Sequence, residues 1–546
     1  MSTDAAPLVK RAPSTLRADH PETAWLPTGP LAQATAVAAL AAVFVLAGPQ
    51  FQLGREEARL GIAAAERLGP MGQVFGGWDP GVWPLPVILG KLWAALWQGP
   101  VDTWAVRGPA ALAALAIGVM ASRRVSLALS PRAGLLVGLA WFSCLGAMDR
   151  STAFGLDMIV GLGTVLALDR IIGRRCDAVA GAWAGLAFLA GGWPPLAVVL
   201  MATIVIGRPE AWVGVGFLLP VAATIAGWSA WAIAAAPTGA WVSALTLPLT
   251  KGSAWWMAPG LLLAALPWSP FALLALRPSI RQGWSEPGRK VVVGWMQTAA
   301  AALVAGTLVP GLASSARIPA LVGLAIAAGA CWDRIAFGGD SIGRRMRRLS
   351  LIIALALAWT WALIAMMGGT YLGLAVSYYR GLAIVVACVS AGAFVSVLMG
   401  FWKNAPLRSL AGMMLMALAM KLSYAGFVIP EWNYRAGQGP WGRAIDQWVP
   451  ARSPIYVTHG WGADLAFATG HPFRQLADAS LLARQPGARP LFTLLHPEEF
   501  KHWPKDAPPL MEVHTFMDEL GYPRVLARTT EPYSWRAMAE AARRGE

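Results

Sequence analysis

The sequence predicts a helical domain that crosses a membrane many times, followed by a small soluble α/β domain. Three observations lead there. Of the 546 residues, 56% are hydrophobic and only 13% are charged, about half the charged fraction of a typical soluble domain. Several apolar stretches reach the roughly 20 residues that a helix needs to cross a bilayer. The chain becomes polar at Pro430, and five of its six histidines lie beyond that point.

The apolar stretches predict about thirteen membrane spans between residues 31 and 428. Residues 1–30 are polar and are expected to form a cytoplasmic tail. The first apolar run has no small-residue cleavage site after it, so we expect it to be retained as a span. The predicted spans are 31–49, 105–122, 133–148, 156–170, 179–192, 195–207, 212–235, 255–276, 292–311, 318–333, 349–368, 381–400 and 409–428.

The net charge of +15 is distributed as in a membrane protein and does not indicate nucleic-acid binding. Basic residues lie in alternate short loops, which is the positive-inside pattern of cytoplasmic loops. They are Arg123, Arg124 and Arg132; Arg170, Arg174 and Arg175; Arg208; Arg277, Arg281, Arg289 and Lys290; Arg344, Arg345, Arg347 and Arg348; Lys403 and Arg408. With the N-terminus in the cytoplasm, an odd number of spans places residues 429–546 on the outer side of the inner (plasma) membrane. In a Gram-negative bacterium that side is the periplasm.

The segment 50–104 is predicted to be a long outer loop that carries acids, bases and Trp. Arg55 to Arg67 reads as a short helix. Leu85 to Leu96 is apolar but short for a span, and Trp83 and Trp97 flank it. An interfacial helix fits such a segment. Helices that lie on the outer leaflet beside a charged cluster are typical of a site that works at the membrane surface.

The region 429–546 is expected to be an α/β domain with no nucleotide-binding fingerprint. Strands are predicted at Ser453–Val457 and Arg489–Leu495, and helices near 474–484 and 534–544. The scattered histidines do not predict a metal site. The spacing of the four cysteines matches neither a metal site nor a disulfide framework. These are Cys144, Cys176, Cys331 and Cys388.

Adjacent carboxylates directly follow the first predicted span, at Glu56 and Glu57, and Arg59 lies beside them. A carboxylate there can take a proton from an acceptor hydroxyl while a guanidinium holds a phosphate leaving group. The alternative is a solvated, ion-paired turn, which is the usual state of a charge cluster.

Other charged residues fall on the same predicted side. Asp79 lies near the end of the outer loop, and Asp149 and Arg150 follow the third span. Asp157 opens the fourth span, where an acid at membrane depth is a functional candidate. A helix cap is the alternative interpretation of Asp157.

Two cations break the positive-inside pattern, which indicates a local partner for each. Lys251 precedes a Trp pair, and Arg317 lies between the ninth and tenth spans. A phosphate is one plausible partner. Anchoring to lipid headgroups is the alternative.

Motifs in a fixed order carry a resemblance to a known family. They are Glu56-Glu57-Ala58-Arg59-Leu60 after the first span, Trp78-Asp79-Pro80-Gly81 and the helix from Pro86 to Leu96 in the outer loop, Arg107-Gly108-Pro109-Ala110-Ala111, Asp157-Met158, Leu266-Pro267-Trp268 and Ser315-Ala316-Arg317-Ile318-Pro319. By the order and spacing of these motifs, the chain resembles the membrane sugar transferases that use polyprenyl-phosphate sugars. The family includes protein O-mannosyltransferases and the bacterial transferase that adds aminoarabinose to lipid A.

The resemblance implies the GT-C type of fold, with an active site formed by the first outer loop above the bilayer. It implies that Glu56, usually Asp in the family, is the general base. Glu57, Arg59 and Asp79 would be its site partners, and Arg317 would carry the cation of its motif. The donor would be a polyprenyl-phosphate sugar, with no further cofactor required and no metal.

The chain departs from the family pattern at three places. Leu60 replaces a Tyr, Pro80-Gly81-Val82 replaces Lys-Pro-Pro, and Gly192-Trp193-Pro194 replaces Lys-Gly-Pro. Two cations of the family are thus missing. Lys251 could substitute for one. A different donor or a loss of activity are the other interpretations.

The resulting hypothesis is an inverting glycosyl transfer at the outer face of the inner membrane. The acceptor would be a lipid or glycan, with a protein as a further possibility, and membrane lipids would surround the site. A transporter or lipid flippase is the main alternative, since such proteins bind substrate near the bilayer midplane between repeats. No repeat is evident and the charges gather at one surface, which favours the enzyme. A scaffold that kept the fold without its chemistry is the third hypothesis.

Overall fold

A computed structural model describes most of the chain from residue 73 to residue 530. The described ranges are 73–74, 77–78, 83–98, 101, 103–152, 155–207, 214–235, 255–337, 341–431, 439–450, 453–458, 463–476, 478–485, 490–517 and 523–530. The predicted first span, the predicted helix from Arg55 to Arg67 and the predicted helix near 534–544 lie outside these ranges.

In the described part of the membrane region, two short antiparallel strands of two residues each, β1 (Gln73–Val74) and β2 (Gly77–Trp78), precede sixteen helices. They are α1 (Pro84–Leu96), α2 (Thr103–Ala128), α3 (Pro131–Ser143), α4 (Leu145–Thr152), α5 (Gly155–Ile172), α6 (Ala178–Gly191), α7 (Trp193–Val205), α8 (Val215–Ala235), α9 (Met257–Ala264), α10 (Ser269–Leu274), α11 (Pro278–Arg281), α12 (Glu286–Leu308), α13 (Ala313–Phe337), α14 (Ser341–Ala375), α15 (Arg380–Trp402) and α16 (Pro406–Ser423).

The length and composition of these helices show a multi-pass membrane protein. Seven of the described helices are long and apolar enough to cross a bilayer: α2, α8 and α12 to α16. Every predicted span from 105–122 onward falls on helix, but 133–148 covers both α3 and α4, and 255–276 covers both α9 and α10. The total of thirteen spans stays a prediction.

The starts of several helices follow directly from local sequence. Ser130, Asp177 and Ser285 cap α3, α6 and α12, and each side chain accepts a hydrogen bond from a backbone N–H three residues later. Such side chains satisfy one of the N–H groups that a helix start leaves without a partner. Proline in the first turn of α3 and α12 fits the same positions, because its missing N–H is not needed there.

The centre of the bundle is formed by α2 and α13. In each of them 72% of the most apolar window is buried, against 28% in α14 and α15. The outer helices therefore present most of their surface to lipid. Small residues on α13 let its neighbours approach closely, which is the usual means of packing helices in a membrane. Its fully buried alanines include Ala316, Ala320 and Ala328.

The basic loops meet at one end of the bundle. Arg124 of α2 pairs with Asp169 of α5, with 3.2 Å between Nε and Oδ1. Ser285 donates to the carbonyl oxygen of Ala128 at 3.0 Å, and Ser130 donates to Asp333 at 3.4 Å. These contacts join loops that the charge pattern predicts on one side of the membrane. Which side faces the cytoplasm stays a prediction.

A five-stranded sheet occupies the C-terminal region. In chain order, the helices and strands of this region are α17 (Gly439–Asp446), β3 (Ile455–Val457), α18 (Ala463–Thr469), β4 (Phe473–Gln475), β5 (Phe492–Leu495), α19 (Pro497–Lys501), β6 (Leu510–Met517) and β7 (Pro523–Thr529). The strand order is β4-β3-β5-β7-β6; β3 is parallel to both neighbours, whereas β7 is antiparallel to both of its own.

One local prediction in this region is wrong. The stretch 474–484 is not one helix, because β4 occupies its start and a 3₁₀ turn, Ala479–Arg484, follows. Pairing of Phe473 with Ile455 across the sheet outweighs the local helical pattern. The two predicted strands are present as β3 and β5. The boundary of a separate C-terminal domain stays a prediction.

Candidate functional site

The short helix α4 carries Asp149 and Arg150, and the Leu-Pro-Trp motif holds it in place. The Trp268 indole N–H donates to Ser143 Oγ at 2.8 Å. The backbone N–H of Leu145 donates to the carbonyl oxygen of Leu266 at 3.1 Å. Trp268 is 1% exposed. The motif therefore fixes the junction between α3 and α4.

Asp157 lies in the first turn of α5 and is ion-paired. Its Oδ2 atom is 3.0 Å from Arg150 Nη1 and 3.9 Å from Arg317 Nη1. Its side chain is only 15% exposed, so water screens these attractions weakly. The partial positive charge of the helix start adds to them. Asp157 thus joins three helices, α4, α5 and α13.

Asp149 holds the other side of Arg150. Its Oδ2 atom is 3.4 Å from Arg150 Nε, and its Oδ1 accepts a hydrogen bond from the Tyr424 hydroxyl. Tyr424 opens a π-helical turn, Tyr424–Val428, at the end of α16. Such turns are frequent at functional sites. Arg107, 1% exposed on α2, lies close enough to Tyr424 for its charge to act on the phenol.

We refer to Asp149, Arg150, Asp157, Arg317 and Tyr424 as the Asp157 cluster. Together with Arg107, the described residues here include three guanidinium groups and two carboxylates. Guanidinium groups bind anions such as phosphate in two-pronged hydrogen bonds. The two carboxylates hold Arg150 and Arg317 in position.

Helix α1, which the sequence predicts to be interfacial, is fixed against the bundle at two glycines. A Cβ atom on Gly108 would lie 2.2 Å from the Trp93 ring, so only glycine lets α1 approach α2 here. Gly192 has a φ of 75°, and a Cβ atom there would lie 2.3 Å from Trp83. Trp83 stacks on Trp228 with 5.3 Å between ring centroids.

Gly108 belongs to the Arg-Gly-Pro motif, and Gly192 stands where the resembled family has Lys-Gly-Pro. At Gly192 the chain thus has an aromatic contact at the position of a missing cation. The exposed face of α1, which includes Leu92 and Leu96, is free to contact lipid.

The structure brings together two of the seven site residues predicted from the sequence. Asp157 and Arg317 form an ion pair, and Asp157 is paired rather than a simple cap. The other five lie outside the described residues, and their roles stay predictions: Glu56, Glu57, Arg59, Asp79 and Lys251.

Tyr424 was missed by the sequence analysis. The available signal was a polar side chain within the predicted last span, which is a functional candidate on the same grounds as Asp157. As for metals, the described residues contain no group of three His, Cys, Asp or Glu side chains that could hold an ion.

Solved structures provide the comparison with known proteins, since no protein-family model and no curated protein matches the chain. The apo structure of ArnT from Cupriavidus metallidurans matches with a TM-score of 0.67 and 16% identity, over 91% of this chain and 97% of that chain. The same protein bound to undecaprenyl phosphate matches with a TM-score of 0.68 and 17% identity, over 91% and 98%. The chain therefore has the fold of ArnT, and the predicted GT-C type of fold is confirmed.

Proposed function

We propose that the protein transfers a sugar from a polyprenyl-phosphate donor to a hydroxyl group of a lipid, a glycan or a protein at the outer face of the inner membrane. The observation that carries the proposal is the Asp157 cluster, which brings guanidinium groups of two helices to one carboxylate in a fold shared with a protein that has been solved with undecaprenyl phosphate.

In this reaction the acceptor oxygen attacks the anomeric carbon as the bond to the lipid phosphate breaks. Glu56 takes the acceptor proton, the role that the family resemblance assigns to it. The phosphate leaves with the bonding electron pair, and its negative charge increases. Arg150, Arg317 and Arg107 stabilise that charge in a site of low water content. Attack opposite the departing phosphate inverts the anomeric carbon.

The two carboxylates of the cluster act through the cations. Asp157 holds Arg150 and Arg317 on one oxygen atom, and Asp149 holds Arg150 from the other side. The Tyr424 hydroxyl fixes Asp149 by donating a hydrogen bond to its carboxylate. We infer that Arg59, Asp79, Lys251 and Glu57 complete the site from the loops, and that no metal ion or further cofactor is required.

The test is mass spectrometry of envelope lipids and glycans from a deletion strain that carries either wild-type protein or Glu56→Gln. We expect one sugar adduct to vanish on deletion and to return only with wild-type protein. Return of the adduct with Glu56→Gln at normal protein level would contradict the assignment of the base. An unchanged profile after deletion would contradict the transferase itself and favour a transporter or a scaffold.

A further inference from the structure

A second charged site lies at the opposite end of the bundle. It is a cavity of about 770 Å³ between the ends of α2, α5 and α11 and the start of α12. Arg107 and Arg124 mark the two ends on α2, and the 17 residue steps from one to the other span about 25 Å at 1.5 Å per residue. We call this space the Arg281 cavity. It does not touch the Asp157 cluster, and its role is independent of the proposed function.

Among the described residues, the charged side chains that line the cavity are all cations. They are Arg124, Arg174, Arg281, Arg289 and Lys290. Two carboxylates lie next to them: Asp169 pairs with Arg124 at 3.2 Å, and Glu286 pairs with Lys290 at 2.6 Å. Within this described set, an excess of three positive charges remains.

The remaining cations lack close carboxylates. Arg174, Arg281 and Arg289 form no ion pair within 4 Å in the described part of the chain; Glu286 reaches Arg174 and Arg289 only at longer range. The Nε atom of Arg281 is shielded from solvent and has no hydrogen-bond partner among the described residues. A shielded donor without an acceptor is unfavourable. An anion in the cavity would supply one.

Arg174 occupies a backbone conformation that usually requires glycine. Its φ is 62°, and it follows α5 at the position where a left-handed residue ends a helix. Backbone hydrogen bonds from Arg174 to Ile171 and from Arg175 to Arg170, at 3.0 and 2.9 Å, fix this turn. A long cation in place of glycine costs on the order of 1 kcal/mol. Such strain is typical of binding sites.

Local contacts hold the cations in place. The Arg124 guanidinium lies directly over Gly173, where a Cβ atom would be 2.7 Å from Nη2. Ser285 caps α12 and also donates to Ala128, which joins the start of α12 to the end of α2. The backbone of Arg289 and Lys290, near the start of α12, is therefore held close to the end of α2 that carries Arg124. The partial positive charge at the start of α12 adds to the positive electrostatic potential of these cations.

The other half of the lining is largely apolar. It includes Ile172, Ile206 and Val293, and Leu127 is 76% exposed at its edge. A soluble phosphate compound would use only the cationic half. A phospholipid matches both halves, because its phosphate meets the cations while its chains run along the apolar surface.

We propose that the Arg281 cavity binds the headgroup phosphate of an anionic phospholipid from the leaflet at that end of the bundle. Arg281 and Arg289 contact the phosphate, and Arg174 closes the site from the α5 turn. The bound lipid joins the ends of α2, α5 and α12 and stabilises the folded bundle by mass action.

The test is lipid binding to the purified full-length protein, measured by native mass spectrometry with phosphatidylglycerol and with phosphatidylcholine of the same acyl chains. We expect phosphatidylglycerol to bind and to raise the melting temperature, whereas phosphatidylcholine at the same concentration does neither. In Arg281→Gln/Arg289→Gln the affinity for phosphatidylglycerol should fall about 25-fold, from about fivefold for each cation.

The matched control is Arg345→Gln/Arg348→Gln, which removes the same charge from exposed positions on α14 outside the cavity. It should bind phosphatidylglycerol as the wild type does. Leu127→Glu is a second variant, at a position that is 76% exposed; its carboxylate should lower the affinity at least about fivefold. It decides the question if the double variant does not fold.

Three results would overturn the proposal. The cavity variants could bind phosphatidylglycerol with wild-type affinity. The control pair could lose as much affinity as the cavity pair, which would show attraction by net charge alone. Inorganic phosphate at equal concentration could displace the lipid, which would show a site for a soluble anion.

Discussion

The Asp157 cluster and the Arg281 cavity lie at opposite ends of one helical bundle and use the same charged residue types in different ways. In the cluster, each carboxylate holds a guanidinium, and the side chains of the ion pairs are only 15 to 26% exposed. In the cavity, three of five cations have no carboxylate within 4 Å among the described residues. Pairing fixes the position of a charge, while an unpaired charge is available to a ligand. The first arrangement suits catalysis, and the second suits retention of a lipid.

The largest difference between the ends should come from neutralising one aspartate at each. Asp157→Asn leaves Arg150 and Arg317 without their shared carboxylate, so we expect sugar transfer to fall about 500-fold. Asp333→Asn, on the other side of the bundle, removes an ion pair with Arg132 and should leave transfer within about threefold. The measurement is the sugar adduct in complemented deletion strains at equal protein level. Equal losses in both variants would show a general effect on folding.

The next largest effect should come from two glycines that share a positive φ. Gly192 has a φ of 75° with Trp83 against it, whereas Gly207 has a φ of 74° and nothing within 4 Å of an added Cβ atom. Alanine at Gly207 adds only backbone strain, about 1 kcal/mol. Alanine at Gly192 also overpacks Trp83 and should cost about 2.5 kcal/mol in total. Thermal unfolding in detergent measures both, and equal shifts would contradict the tight contact of Trp83.

A smaller effect is expected at Tyr424, because its ring can stay when its hydroxyl is removed. Tyr424→Phe deletes the hydrogen bond to Asp149 and should lower transfer about tenfold, the effect of one hydrogen bond to a charged group. Melting temperature should change little. Full activity of Tyr424→Phe would place Tyr424 outside the site.

The smallest effect concerns the start of α12 beside the cavity. Ser285→Ala removes the cap of Gly288 and the hydrogen bond to Ala128, which should destabilise the protein by about 1 kcal/mol. Ser285→Thr keeps the hydroxyl and is the matched control. If threonine destabilises as much as alanine, the hydroxyl is not the cause. Sugar transfer should be unaffected by either change.

Periodicity and charge in the sequence predicted the helices well because a bilayer accepts few alternatives. A run of about 20 apolar residues has to become helix there, since no water can satisfy its backbone. The same rule could not divide 133–148 into α3 and α4. That break depends on the contacts of Ser143 and Leu145 with residues of the Leu-Pro-Trp motif. These partners are more than 100 residues away in the chain.

The sequence alone predicted the type of fold and singled out two candidate site residues that the structure pairs: Asp157 as an acid at membrane depth and Arg317 as a cation that breaks the positive-inside pattern. It could not identify their partners. Only the tertiary structure decided that Arg150 lies between two aspartates, that Tyr424 reaches Asp149, and that five cations from three distant stretches of the chain surround one cavity. The physical reason is range. Helix formation follows from neighbouring residues, whereas these ion pairs and the cavity form only when distant helices pack.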